Sequence, residues 1–104
     1  MIQQFDVFAN PDADVAAYRP FLVVLQSDLV SDLRATIVAP LVKREDIAGA
    51  QRLNPVVTVA GQEHWLATHE LFALDRRALR NKVASLADRR DHIVAALDML
   101  FTGF

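Results

Sequence analysis

Leu86-Ala87-Asp88-Arg89-Arg90-Asp91-His92-Ile93-Val94-Ala95-Ala96-Leu97-Asp98-Met99-Leu100-Phe101-Thr102-Gly103-Phe104 is the stretch that orders the reading of the whole chain. Leu86, Arg90, Ile93, Val94, Leu97, Leu100 and Phe101 recur at i, i+3, i+4 and i+7, the spacing of a helix with one core-facing side. Asp88, Asp91 and Asp98 lie off that face, and the first two suit the positive end of a helix dipole. The last four residues hold two phenylalanines, a glycine and no charged side chain. Either the rings fold back onto the core or they are presented to a partner. Phe101 continues the apolar face, whereas Gly103 is a helix stop.

Upstream of this helix the pattern changes to short extended runs. Ile2 to Phe8 alternates imperfectly and reads as a first strand, and Asn10-Pro11-Asp12-Ala13-Asp14 has the chemistry of a turn. Pro20 to Gln26 is a β-branched apolar run of strand length. Ser27-Asp28 breaks it. Ala35 to Val42 reads as a strand that Pro40 pushes toward a sheet edge or a bulge. Lys43 to Arg52 is a polar connection with about one helical turn. Asn54-Pro55 opens a strand at Val56 to Val59, and Ala60-Gly61-Gln62 turns it into His64 to Thr68, a hairpin signal. Leu71 to Leu74 is a further short strand. Asp75 to Ser85 is ambiguous, because its Ala, Leu and Arg favour helix while tertiary context can override them. Several short strands followed by one helix predict a mainly β domain, a small barrel or sandwich capped by its C-terminal helix, with residues 1–104 as one domain.

Composition narrows the classes of function. The chain has 104 residues, is 53 % hydrophobic and has a mean hydropathy of +0.20. That is more apolar side chain than a small core comfortably hides, so an oligomer interface is expected. Eleven basic and 13 acidic residues are intermixed, for a net charge of −2. No basic stripe of the kind that grips a phosphate backbone is present, which argues against direct nucleic-acid binding. Cysteine is absent, and with it disulfides, thiolate nucleophiles and sulfur-ligated metal. Neither a signal segment nor an apolar run near 18 residues occurs, so the expectation is a cytoplasmic protein away from the membrane.

Catalytic and metal motifs are not found. His64 and His69 are five apart on an expected strand and therefore point to opposite faces. His92 is remote from both, no paired ligand set surrounds them, and structural or surface roles are expected. Ser27-Asp28 and Thr68-His69-Glu70 place hydroxyls beside acids, which reads as turn and cap chemistry rather than a nucleophile with its base. Trp65 is expected in the core, and Arg76-Arg77 and Arg89-Arg90 as solvated pairs. The expectation is a protein without catalytic residues, metal or cofactor.

Several segments taken in order resemble the CcdB toxins of toxin–antitoxin pairs. Gln4-Phe5-Asp6-Val7 looks like that family's opening strand. Leu25-Gln26-Ser27-Asp28-Leu29-Val30 is similar to its Val-Gln-Ser-Asp-Ile-Ile segment, and Ile37-Val38-Ala39-Pro40-Leu41 resembles the strand that follows. Asn54-Pro55-Val56-Val57, Trp65, Leu86 to Ile93 and Asp98 to Phe104 come at nearly the family's spacing. The resemblance implies an SH3-like β-barrel of the CcdB and MazF type with a long C-terminal helix, assembled as a homodimer. It also implies a non-enzymatic poison that binds the A subunit of DNA gyrase, traps the enzyme on cleaved DNA and is reversed by a CcdA-like antitoxin. By motif, the gyrase contacts would come from Asp98, Phe101, Thr102, Gly103 and Phe104, with Leu29 and Val30 from a neighbouring loop. Antitoxin contacts are expected in the loops Asn10 to Asp14 and Lys43 to Gln51.

One departure bears on function. The family's poisoning members end in Trp-Gly-Ile, where this chain has Thr102-Gly103-Phe104. Loss of a large ring that can stack on arginine typically costs a few kcal/mol, on the order of a hundredfold or more in affinity. Two alternatives therefore stand beside the poison. One is a MazF/Kid-like endoribonuclease on the same barrel, using Arg76, Arg77, Asp75 and His69. The other is a non-toxic family member that only dimerises and captures antitoxin.

Overall fold

A computed structural model describes residues 2–45 and 50–103. Seven strands form one antiparallel sheet: β1 (Asp6–Ala9), β2 (Phe21–Val24), β3 (Ala35–Lys43), β4 (Val56–Val59), β5 (Gln62–Leu66), β6 (Phe72–Asp75) and β7 (Lys82–Ser85). Their order is β4-β5-β3-β2-β1-β7, with β6 joined to β3 beside β5. The chain closes with a 3-10 turn, Ala87–Arg89, and the helix α1 (Arg90–Thr102). The sheet is a half-barrel rather than a sandwich, since a single sheet carries every strand and its outer strands β4 and β7 pair only inward.

Alternation along the strands builds two cores. Val7, Val23, Ala39 and Leu41 face one side with Val57, Val59 and Leu66, and there they meet Leu86 and Ile93. Their neighbours Phe8, Leu22, Val24 and Val38 face the other side, under Leu79 with Ile2 and Leu74. Burial on both faces is why β2 reads as a continuous apolar run rather than an alternating one.

One ambiguity is resolved and two expectations are corrected here. The segment Asp75 to Ser85 is not helical: a 3-10 turn at Arg76–Ala78 leads into β7, which pairs with the free edge of β1. The Asp75 carboxylate accepts from the Arg77 N–H at 2.9 Å and starts that turn, so side-chain capping and a sheet edge outweigh the local helix preference. Pro40 does not mark an edge, since β3 is central, with β2 on one side and both β5 and β6 on the other. The Pro40 carbonyl accepts from Ala67 N at 2.9 Å, so its ring nitrogen faces the same way, toward the junction where the neighbouring chain leaves β5. No ladder donor is required there. The final helix begins four residues later than the apolar spacing suggests, with Leu86 anchored in the core ahead of it.

The hairpin from β4 to β5 forms through a two-residue turn with both Ala60 (φ 54°) and Gly61 (φ 75°) in the left-handed region. This mirror-image turn matches the strands' twist. The first strand is shorter than expected, because Phe5 lies at φ 70°. Its N–H donates to Val24 O at 2.7 Å and its carbonyl accepts from Leu86 N at 2.8 Å, joining the start of the chain to the approach to α1. Of the polar connection at Lys43 to Arg52, residues 46–49 lie outside the described residues, and so does Phe104.

Candidate functional site

The segment between β2 and β3 folds into a 3-10 turn at Asp28–Val30, and its polar groups are almost all spent inside the chain. Ser27 Oγ accepts from Leu29 N at 3.1 Å. Asp28 Oδ1 accepts from Gln4 N at 2.7 Å. Gln26 Nε2 donates to the carbonyls of Val30 at 2.9 Å and Ala35 at 3.2 Å, while its Oε1 accepts from Ile37 N at 3.1 Å. Arg76 reaches in from the far side and donates to Ser31 O at 2.6 Å. On this fastened backbone Leu29 is 93 % exposed and Val30 41 %. The hydroxyl and carboxylate of Ser27-Asp28 are thus cap and turn groups, as their chemistry predicts.

The second cluster is the C-terminal end of α1. Ile93 and Ala96 are fully buried, and Val94 and Leu97 pack beside them on the core. Phe101 is the exception to the expected apolar face: it is 69 % exposed, and Met99 is 37 % exposed. The Phe101 ring does not fold back onto the core. Thr102 Oγ1 donates to the Asp98 carbonyl at 2.7 Å, and Gly103 N donates to the Met99 carbonyl at 3.1 Å. Gly103 lies at φ 82°, the left-handed stop that glycine adopts most readily. Asp98, Phe101, Thr102 and Gly103 therefore form one exposed, capped helix end, and Phe104 falls outside the described residues.

Leu29 and Val30 lie on a different element from that end, the 3-10 turn Asp28–Val30. Gln4 ties their loop to the start of α1: its N–H meets Asp28 and its side-chain oxygen accepts from Arg90 Nη1 at 3.1 Å. From Arg90 to Thr102 the helix rises about 18 Å.

Other candidate residues have structural employment. The arginine pairs expected to be solvated act as clamps: Arg77 pairs with Asp75 at 2.8 Å, Arg89 donates to Val56 O at 3.2 Å, and Arg90 lies over the Phe5 ring at 5.7 Å. Asp75 is also held by Arg34 at 2.9 Å, so its carboxylate is committed on both sides. His69 precedes β6 in a 3-10 turn, against Asn54 Nδ2 at 3.2 Å, at the other end of that strand from Asp75. His64 is buried, with the Phe21 ring edge-on at 5.5 Å, and burial holds its pKa below the usual imidazole value. Trp65 is 6 % exposed, as expected of a core residue. Among the described residues no group of three or more His, Cys, Asp or Glu side chains gathers as a metal site.

Two of the surface clefts border these elements. One, about 690 Å³, lies between β4 and the approach to α1, and its rim of Arg44, Glu63, Asp88, Arg89 and His92 has mixed charge. The other, about 220 Å³, is walled by Val15, Leu22, Pro40, Phe72 and Leu74 beneath the loop that starts at Asn10. Its rim carries the ion pair of Arg19 and Glu70, bidentate at 2.6 and 2.9 Å. That pair holds the Glu70 carboxyl below its usual range and the Arg19 guanidinium above its own.

A half-barrel carrying one C-terminal helix that ends in exposed apolar residues agrees with the finding from family comparison: the model described as CcdB protein matches residues 4–103. The chain belongs to the CcdB family. No curated protein matches it. CcdB membership implies a toxin of a toxin–antitoxin pair that acts on gyrase, and the family is one of gyrase poisons rather than of enzymes. Among the described residues no helix is long and apolar enough to cross a membrane. The resemblance to CcdB sequences points to both clusters as candidates, but the sequence does not show the fastening of the Leu29 loop. Gln26 and Arg76 are ordinary polar residues until the fold brings Val30, Ala35, Ile37 and Ser31 to them.

Proposed function

We propose that this CcdB-family chain is a cytoplasmic toxin that acts as a single-domain homodimer. It binds the A subunit of DNA gyrase through Asp98, Phe101, Thr102, Gly103 and Phe104, with Leu29 and Val30, and traps the gyrase–DNA cleavage complex. A CcdA-like antitoxin reverses it, with contacts at the loops Asn10 to Asp14 and Lys43 to Gln51. The observation that carries this reading is the exposure of Leu29 and Phe101, at 93 % and 69 %, on ordered local structure. Large apolar side chains held outward are characteristic of a binding surface rather than of a monomer's exterior. A poison needs no catalytic group, only a preference for one state of its target.

The deciding experiment incubates the protein with gyrase, supercoiled DNA and ATP and scores trapped double-strand breaks. Breaks are expected, and they should disappear with Phe101→Ala or with removal of Gly103 and Phe104. A folded protein that traps no breaks would overturn the reading. Thr102 supports a second reading, capture of antitoxin without poisoning, because threonine offers no ring to stack on the target. In that case Thr102→Trp should create trapping where the unaltered chain has none. No described geometry favours the endoribonuclease alternative, since Asp75 and His69 lie at opposite ends of β6 and Asp75 is already paired twice.

A further inference from the structure

An exposed leucine gains nothing for the free protein, yet the backbone beneath Leu29 is fastened more densely than any packing need explains. Residues 26–31 are held by Ser27 Oγ on Leu29 N, Asp28 Oδ1 on Gln4 N, Gln26 Nε2 on the Val30 and Ala35 carbonyls, and Arg76 on Ser31 O. Exposed loops with few apolar contacts ordinarily sit at the low-stability end of a fold. Here polar side chains supply the order that apolar contacts do not. Gln4 extends the arrangement by accepting from Arg90 at the first residue of α1 and donating from Nε2 to Leu25 O at 3.0 Å. The loop is therefore registered to the helix as well as closed on itself.

We infer that Gln26 and Asp28 are positioning residues that hold Leu29 in its binding geometry before a partner arrives. They act through Leu29: both ends of the Gln26 amide and one oxygen of Asp28 are occupied within the chain, and the Asp28→Asn variant below separates this from a direct contact by the exposed carboxylate. A side chain ordered in advance loses less freedom on binding, and the saving appears as affinity. The identity of the partner as gyrase rests on the function proposed above, whereas the positioning itself is a property of the free protein.

The test measures the binding of a gyrase A fragment by calorimetry, with methyl relaxation of Leu29 in the free protein and a thermal midpoint for each variant. Asp28→Ala should weaken binding about tenfold, near the net worth of one lost hydrogen bond to a charged group. Asp28→Asn keeps an acceptor oxygen and should bind like the unaltered chain. In a Leu29→Ala background, Asp28→Ala should cost nothing further, which is the signature of a residue acting through Leu29. Gln26→Met should weaken binding by a similar factor, and in both weakened variants the Leu29 methyls should become more mobile. Should Gln26→Met fail to fold, the Asp28 series carries the test alone. An Asp28→Asn variant as weak as Asp28→Ala would show that the partner reads the charge, and the inference would fall. Additive losses with Leu29→Ala, or Leu29 methyls equally ordered in every variant, would overturn it too. If the unaltered chain binds no gyrase, the proposed target is wrong, and the methyl measurements still decide the positioning.

Discussion

His64 is 1 % exposed, and its Nδ1 lies 2.9 Å from the Gln62 carbonyl, which places the ring hydrogen on Nδ1. Nε2 is buried and has no hydrogen-bond partner among the described residues. Protonation would put a charge between Phe21 and the strands, close enough to Lys43 for the two cations to repel, so burial first and Lys43 second hold the pKa below 6.5. The Gln62 bond opposes this without overcoming it. Below 6.5 the unfolded chain therefore binds a proton that the folded chain refuses, and stability falls as pH drops from that value toward the folded pKa. The thermal midpoint should decline between about pH 7 and pH 5, and His64→Phe, which keeps a ring but cannot titrate, should flatten that decline. An unchanged slope would show that His64 does not set it. Glu70 acts in a lower window. Its carboxyl is held below 4.5 chiefly by the Arg19 hydrogen bond, so its contribution is present above 4.5 and is lost as pH falls through the folded value. The two groups can be separated by the range in which each acts.

At the scale of the element, α1 ends by design of its last two described residues. Thr102 satisfies the Asp98 carbonyl, and Gly103 satisfies the Met99 carbonyl from a left-handed conformation. An added Cβ at Gly103 would meet nothing within 4 Å, so replacement by alanine strains the backbone without a clash, by about 1–2 kcal/mol. Because the strain is local and terminal, Gly103→Ala should leave the cooperative thermal midpoint nearly unchanged while weakening gyrase trapping through misdirection of Phe101 and Phe104. Gly103→Asn, which tolerates the left-handed region better, should fall between the two. A loss of trapping that matched a loss of folding would refute this. The helix also shows what was legible in the chain. Ile93, Leu97 and the glycine stop followed from spacing alone, as did the β4–β5 hairpin from its turn residues. Phe101 did not, because periodicity gives the face of a helix but not how far along that face the core extends. Residues 75–85 stayed ambiguous for a related reason: the edge of β1 that captures β7 is about 75 residues away, and local preference carries no trace of it. The candidate site was visible only as a likeness to CcdB sequences, since no chemistry distinguishes an exposed leucine on a fixed loop from one on a mobile loop.

For the whole molecule, the helix has to serve more surfaces than one. Ile93 and Ala96 are fully buried in its own chain, while Met99 and Phe101 face outward. A chain that is 53 % hydrophobic leaves Leu33, Phe72, Val83 and Tyr18 exposed as well. The two clusters assigned to gyrase lie on different elements, the 3-10 turn Asp28–Val30 and the end of α1, and one chain offers each of them once. Homodimerisation through the helix would cover apolar surface and double the clusters a single partner can reach. Sedimentation should therefore give twice the 11.6 kDa of the chain, with a thermal midpoint that rises with protein concentration. Met99→Glu places a charge in the expected interface and should return the mass to that of one chain, with the concentration dependence gone. Leu29→Glu should keep the doubled mass and still lose gyrase binding, because Leu29 lies on the 3-10 turn Asp28–Val30 and not on the helix. If Met99→Glu remains doubled while failing to trap gyrase, Met99 belongs to the target surface and the dimer forms elsewhere. A single-chain mass for the unaltered protein would refute dimerisation, and gyrase would then have to meet both clusters on one chain.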